Sequence, residues 1–257
     1  MRRTVYFLHL LSILFVSCED VINIKLKNAE SRLVIIGEIQ NHSNRQVIKL
    51  SKTVPFSSQS DFQGVSNADV LVVDGQGNRF EFTERSPGIY TSDFVGTVFE
   101  FYELYVSVAG KTYAAVSRMP PFVRIDSVGT AISDFFGEEK KYVSLKYQDP
   151  PLEENFYRYL MSINGGTATF VNTASDKFND GKYVTERLND PDEDLIAGDE
   201  VVVYMQCVDK AMFDFWNVVQ STNPNTAAPA NPPSNISNGA LGYFSAYSMV
   251  KISTIIK

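Results

Sequence analysis

Short β-rich segments, separated by turn-forming residues, recur through the first half of the chain and constrain its fold more than any other feature. Segment 79–83 alternates apolar and polar side chains, and the turn at residues 75–78 joins it to segment 68–74. That pattern is typical of a β-hairpin with one solvated face. Residues 109–111 mark a second turn of this kind. Roughly six or seven strands in about ninety residues, with turns at regular spacing, predict an immunoglobulin-like β-sandwich over residues 32–119.

Pro120-Pro121 follows the last of these strands, and neither proline can donate a hydrogen bond to a neighbouring strand. We interpret the pair as a domain boundary, with the alternative that it is an edge irregularity within one larger domain. Residues 122–257 are predicted to form a second β-rich domain. Its predicted strands lie at residues 142–147, 156–163, 167–171, 201–208 and 249–256.

One helix and one long loop interrupt the strands of this second portion. Apolar side chains recur at helical spacing in residues 209–221, and Asp209 can cap the first turn, so we predict a helix there. Residues 222–242 follow and are rich in proline and asparagine. A loop of this length inside a compact domain tends to be functional or disordered. The predicted fold class is therefore mainly β, with one α-helix.

The N-terminal residues carry the pattern of a processed leader. Two arginines precede an apolar run at residues 5–16, which is too short to span a bilayer and ends at Ser17-Cys18. A cysteine after a small residue is similar to the lipobox of bacterial lipoproteins, where the thiol is acylated. We predict a signal peptide at residues 1–17, lipidation of Cys18 and a tether at residues 18–31. The alternative is an ordinary secretory signal with a chance cysteine.

Composition argues against several classes of function. A net charge of −7 disfavours nucleic acid and anionic lipid as partners. Cys207 lies in an apolar strand, where a lone thiol usually packs as a small hydrophobic side chain. His42 has no acidic neighbour in sequence, and zinc sites need several histidine or thiolate ligands. We therefore predict a protein that is not an enzyme and that has neither a metal site nor a cofactor.

The acidic stretch at residues 190–194 leaves an alternative open. Its aspartates match the first half of a calcium loop, but Leu195 and Val201 stand where an EF-hand has glycine and glutamate. A solvated acidic loop and an irregular calcium site both fit the sequence. Paired carboxylates for glycoside hydrolysis need a defined separation, which the sequence does not supply.

A series of short motifs connects the chain to a known family. In order along the chain these are Cys18-Glu19-Asp20, Leu33-Val34-Ile35-Ile36-Gly37, Pro87-Gly88-Ile89-Tyr90, Gly110-Lys111-Thr112-Tyr113, Ile125-Asp126-Ser127 and the closing run from Pro233 to Phe244. Together they resemble the Bacteroidota lipoprotein family catalogued as domain of unknown function 4249 (DUF4249). The likeness covers essentially the whole chain after the signal peptide.

The resemblance implies an outer-membrane lipoprotein with an immunoglobulin-like N-terminal portion, often encoded beside a TonB-dependent transporter. The resemblance does not assign an enzymatic activity or a binding residue to the chain. Glu19-Asp20 is similar to the acidic signals that send lipoproteins of that phylum to the cell surface, so surface exposure is favoured over a periplasmic location. Asp126-Ser127-Val128 matches the O-glycosylation pattern of the same phylum, which makes Ser127 a candidate site. The alternative for this tripeptide is an ordinary strand start.

These observations give one leading hypothesis and two alternatives. The leading hypothesis is a lipid-anchored, surface-exposed, non-enzymatic accessory or ligand-binding lipoprotein that works beside a TonB-dependent transporter. Tyr243, Phe244 and Tyr247 are its candidate contact residues, although Tyr243 and Phe244 can equally fill the core where the chain re-enters the fold. The alternatives are a structural lipoprotein, acting as an adhesin or envelope-assembly factor, and a hydrolase of glycans or peptides.

Overall fold

The structure, a computed structural model, describes residues 31–54, 63–135, 137–190, 194–221 and 231–257. Within these ranges it contains one α-helix, α1 (Lys210–Ser221), and is otherwise dominated by β-strands. The strands are β1 (Leu33–Gln40), β2 (Arg45–Lys52), β3 (Asp69–Asp74), β4 (Arg79–Ser86), β5 (Ile89–Asp93), β6 (Phe101–Val108), β7 (Lys111–Arg118), β8 (Ile125–Phe135), β9 (Glu138–Gln148), β10 (Phe156–Ile163), β11 (Thr169–Ser175), β12 (Tyr183–Leu188), β13 (Glu200–Val208) and β14 (Leu241–Ile255).

Eleven strands form one sheet in the order β11-β10-β13-β14-β1-β2-β5-β4-β3-β6-β7, and β12-β9-β8 form a second sheet. The predicted hairpins are present: β3 pairs with β4 and β6 with β7, both antiparallel. In the first turn Asp74 Oδ1 accepts hydrogen bonds from the backbone N–H groups of Gln76 and Asn78. The prediction of a mainly β fold with one helix is confirmed.

The middle of the long sheet joins strands that are far apart in sequence. β1 and β14 pair in parallel, from Val34 opposite Leu241 to Gln40 opposite Tyr247. Gly242 makes this approach feasible, because its φ is +86° and a Cβ there would lie 2.1 Å from the carbonyl oxygen of Ile35. The last strand therefore begins at Leu241, earlier than the predicted residue 249, and residues 241 and 242 belong to it instead of to the predicted loop.

Three hydrophobic clusters lie against this sheet among the described residues, and the two larger ones form separate cores. The first packs β1, β2 and β14 against β3 and β6, in the face-to-face manner of a sandwich. Its buried side chains include Ile35, Ile48, Val72, Leu104 and Phe244. The second lies between the β10–β13 portion of the long sheet and the three-stranded sheet, and includes Tyr147, Tyr159, Met161, Leu188 and Met205.

The helix covers the opposite face of the long sheet from the second core. Met212 is buried, and Phe215 and Trp216 pack against Tyr243 of β14, with ring centroids 5.0 Å and 5.7 Å away. Asp209 caps the helix, since its Oδ1 accepts from the N–H of Met212 at 3.0 Å. The helix in the structure thus matches the predicted one at both ends.

Residues Ser31–Lys257 make up one compact unit, and β14 contributes both to the long sheet and to the first core. The second core lies within the predicted second portion, whereas the first core combines residues 33–119 with Ile236, Ala240, Phe244 and Ala246 of the second portion. The boundary at Pro120-Pro121 stays a prediction. Among the described residues, no helix has the length and apolarity that a membrane span requires.

Candidate functional site

The structure places the predicted site residues in three different settings. Cys18 lies outside the described residues, as do residues 191–193 of the acidic stretch. Ser127 is exposed on β8, beside a register shift of the ladder at Asp126. Its exposure is compatible with modification, and its glycosylation stays a prediction.

Tyr243, Phe244 and Tyr247 are all buried on β14. The Tyr243 hydroxyl donates to Glu38 Oε1 at 2.9 Å, and burial is the main cause that raises the pKa of this phenol. Phe244 belongs to the first core, where the packing alternative placed it. None of the three presents a wide surface to solvent, and their role as ligand contacts stays a prediction.

Tyr243 is part of a buried polar group between the sheet and α1. Arg158 on β10 donates to Gln206 Oε1 at 3.1 Å and lies 3.6 Å from Glu38 Oε1. Its guanidinium carbon is 3.8 Å from the centre of the Trp216 ring, which is a close cation–π contact. These contacts fix the helix on the sheet and explain why aromatic side chains recur in this segment.

The surroundings of Cys207 and of His42 both favour the neutral form of the side chain. Burial raises the pKa of the Cys207 thiol to about 11, so the thiolate is scarce at neutral pH. Burial, followed by nearby Lys251, lowers the pKa of His42, whose ring lies 6.2 Å from that of Tyr247.

A cavity of about 620 Å³ opens at one end of the long sheet, next to the start of α1. Phe156 and Phe213 form its apolar wall, with ring centroids 5.1 Å apart. The charged side chains that line it are Glu153, Glu154, Asp176, Asp180, Lys177 and Lys210. Lys210 is engaged by Asp214 at 2.7 Å, so the lining is predominantly acidic.

Three aspartates meet beside this cavity. Asp149 follows β9 directly, Asp176 follows β11 directly, and Asp180 lies in the turn before β12. One carboxylate oxygen of each lies within 4.8 Å of the other two. Asp149 is 0% exposed and Asp176 is 6% exposed, whereas Asp180 is open to solvent. Carboxylates in this number and spacing are the ligands that hard divalent cations prefer.

Backbone hydrogen bonds hold the three carboxylates in place by linking segment 149–155 to segment 176–182. Asp149 Oδ2 accepts from the Gly181 N–H, Asp176 Oδ2 from the Asn155 N–H, and Asp180 Oδ1 from the Leu152 N–H. Asp149 Oδ1 also accepts from the Tyr157 hydroxyl at 2.5 Å. Burial raises the pKa of Asp149, and the neighbouring carboxylates of Asp176 and Asp180 raise it further.

The sequence offered only a weak signal for this cluster. Asp176, Asp180 and Gly181 have the spacing of positions 1, 5 and 6 of a calcium loop, but Phe178 occupies position 3. Asp149 joins them only through the pairing of β9 with β12, which sequence patterns do not reveal. The acidic stretch at residues 190–194 has more carboxylates close together in sequence. The sequence pattern therefore raised the alternative of a calcium site there and not at this cluster.

Comparison with known proteins identifies one relationship. No curated protein matches the chain. The family model described as "Domain of unknown function (DUF4249)" matches residues 19–253, which is well over half of the chain. The family resemblance carried by the short motifs is thereby confirmed, and the protein belongs to the family of domain of unknown function 4249.

Proposed function

We propose that this protein is a lipid-anchored outer-membrane lipoprotein, exposed at the cell surface, that binds a ligand as the non-enzymatic accessory of a TonB-dependent transporter. The observation that carries the binding role is the cavity of about 620 Å³ with its aromatic wall and acidic lining. Its size falls in the range of small-molecule sites, which combine apolar walls with a few polar groups.

Features of the N-terminal sequence support the anchor. Ser17-Cys18 ends an apolar run of signal-peptide length, and Glu19-Asp20 follows directly. Two or three acyl chains on one cysteine hold a protein at a membrane stably, because each buried methylene contributes about 0.8 kcal/mol. The transporter partnership rests on the family resemblance alone.

Detergent partitioning of the Cys18→Ser variant tests the anchor. We expect the wild-type protein in the detergent phase, with an acylated N-terminal peptide in mass spectrometry, and the variant in the aqueous phase. An unmodified N-terminus in the wild-type protein would contradict the proposal.

Affinity capture from detergent-solubilised outer membrane tests the partnership, and growth on single nutrients tests the binding role. We expect capture to recover a transporter, and deletion of the gene to impair growth on one nutrient. The wild-type gene should restore growth, whereas a Glu153→Lys/Glu154→Lys variant at the cavity should not. A Glu138→Lys/Glu139→Lys variant changes exposed acids elsewhere and serves as the matched control. Capture without any transporter, or an envelope defect on every nutrient, would favour the structural alternative.

A further inference from the structure

The aspartate cluster gathers negative charge that the described part of the protein does not balance. None of the ion pairs among the described residues involves Asp149, Asp176 or Asp180. The nearby Lys182 ammonium donates to the carbonyl of Phe178 instead. Buried carboxylates without a cationic partner are unfavourable, and they are usually paired or bound to a metal ion.

A second observation, independent of the aspartates, also indicates a missing partner. Asn155 is 8% exposed, and its side-chain Oδ1 is buried without any hydrogen-bond donor. The same residue donates its backbone N–H to Asp176 Oδ2 at 2.9 Å and accepts the Asp176 N–H at 3.1 Å. These two bonds hold the Asn155 backbone against Asp176, and Oδ1 is three covalent bonds from the Asn155 Cα. Buried amide oxygens without a partner are rare in folded proteins, and amide oxygens are common calcium ligands.

We propose that Asp149, Asp176 and Asp180, together with Asn155 Oδ1, bind one Ca²⁺ ion. Ca²⁺ accepts six to eight oxygen ligands at about 2.3–2.6 Å, so one ion can reach oxygens up to roughly 5 Å apart. The carboxylate oxygens, which lie within 4.8 Å of one another, fit that reach. Mg²⁺ demands shorter bonds and a near-ideal octahedron, and Zn²⁺ favours histidine and thiolate ligands, which the cluster lacks.

In the proposed site, the ion is coordinated by oxygen atoms for which the described residues supply no hydrogen-bond donor. The hydrogen bonds described for the cluster reach Oδ2 of Asp176 and Oδ1 of Asp180, and the other oxygen of each carboxylate faces no described donor. Asp176 and Asp180 also line the cavity, so water or a ligand oxygen can fill the remaining coordination positions from that side. The ion thereby joins segments 149–155 and 176–182 at the mouth of the cavity.

Calcium binding to the purified full-length lipoprotein, stripped of metal with a chelating resin, tests the inference. We expect equilibrium dialysis to give one ion per chain, and Ca²⁺ to raise the melting temperature more than Mg²⁺ at the same concentration. The Asp180→Asn variant keeps the acceptor oxygen for the Leu152 N–H and should fold normally. Its affinity for Ca²⁺ should fall at least tenfold, while its melting temperature in EDTA stays near that of the wild-type protein.

An Asp192→Asn/Asp194→Asn variant is the matched control, because it removes carboxylates from the other acidic stretch of the chain. It should bind Ca²⁺ as the wild-type protein does. The inference would be overturned by a wild-type protein that binds no Ca²⁺, by wild-type affinity in Asp180→Asn, or by loss of binding only in the control. These readouts do not depend on a transporter or a transported ligand, so the calcium site and the proposed function can fail separately.

Discussion

Gly37 shows how closely the residues of the first core approach one another. A Cβ at this position would lie 2.8 Å from Cδ2 of Phe244, with Ile48 and Leu104 next in line at 3.5 Å and 3.6 Å. Phe244 is 0% exposed, so its ring has little freedom to move away. The absent side chain at Gly37 is therefore what allows β1, β2, β6 and β14 to share one core.

We expect the Gly37→Ala substitution to lower the free energy of unfolding by about 1–3 kcal/mol, since overpacking a filled core costs that much. Gly129 on β8 is the matched control, because a Cβ there meets nothing within 4 Å. Gly129→Ala should leave stability within about 0.5 kcal/mol of wild type, as surface substitutions usually do. Urea denaturation of both variants provides the measurement, and equal losses would show that the close approach in the core is not the cause.

Among the elements, α1 depends on one carboxylate for its start. Asp209 Oδ2 accepts from the Ser117 hydroxyl at 2.5 Å, while Oδ1 caps the helix, so the same side chain joins α1 to β7. Burial raises the pKa of Asp209 above its ordinary value of 3.8. The folded protein therefore holds this proton more tightly than the unfolded chain does. The resulting stability is present below pH 3.8 and is lost as the pH rises through the folded-state pKa.

Two variants separate the capping bond of Asp209 from its charge. Asp209→Ala removes the acceptor and should cost about 1 kcal/mol at pH 7. Asp209→Asn keeps an acceptor oxygen for the helix cap, but its NH2 group cannot accept from the Ser117 hydroxyl and the Arg118 N–H, so its stability at pH 7 should lie between those of wild type and Asp209→Ala. When the pH is lowered from 7 to 4, the wild-type protein should gain stability relative to Asp209→Asn. Urea unfolding at the two pH values measures this difference, and a relative loss for the wild-type protein would contradict the assignment.

Sequence patterns within short windows predicted those strands and helices that are stabilised by contacts between residues close in sequence. The hairpins β3–β4 and β6–β7, and the capped helix α1, follow from turn residues and periodicity within short windows. β5 and β12 were not predicted, and β8 was predicted only as the alternative of a strand start at Asp126-Ser127-Val128, because these sequences mix polar and apolar residues without a clean period. The order of the eleven strands and the meeting of the three aspartates depend on long-range pairing, which no local pattern encodes.

At the scale of the whole molecule, the first core depends on residues from both halves of the chain. Ile236, Ala240, Phe244 and Ala246 belong to it together with side chains of β1, β2, β3 and β6. A fragment of residues 18–119 lacks all four. We expect this fragment to show no cooperative unfolding transition, whereas residues 18–257 should unfold cooperatively in urea, as followed by circular dichroism. A cooperative transition and well-dispersed amide signals in the fragment would instead establish residues 32–119 as an independent domain.

The pairing of β1 with β14 also has a kinetic consequence. Gln40 and Tyr247, which face each other there, are 207 residues apart along the chain, so this joint closes a very long loop. Contacts of such high sequence separation slow folding. Until β14 arrives, β1 and β13 each present an unpaired edge that can recruit a strand from another molecule. We therefore expect aggregation to occur mainly before β14 pairs with β1 and β13. A chaperone that covers these two strand edges should raise the yield of folded protein.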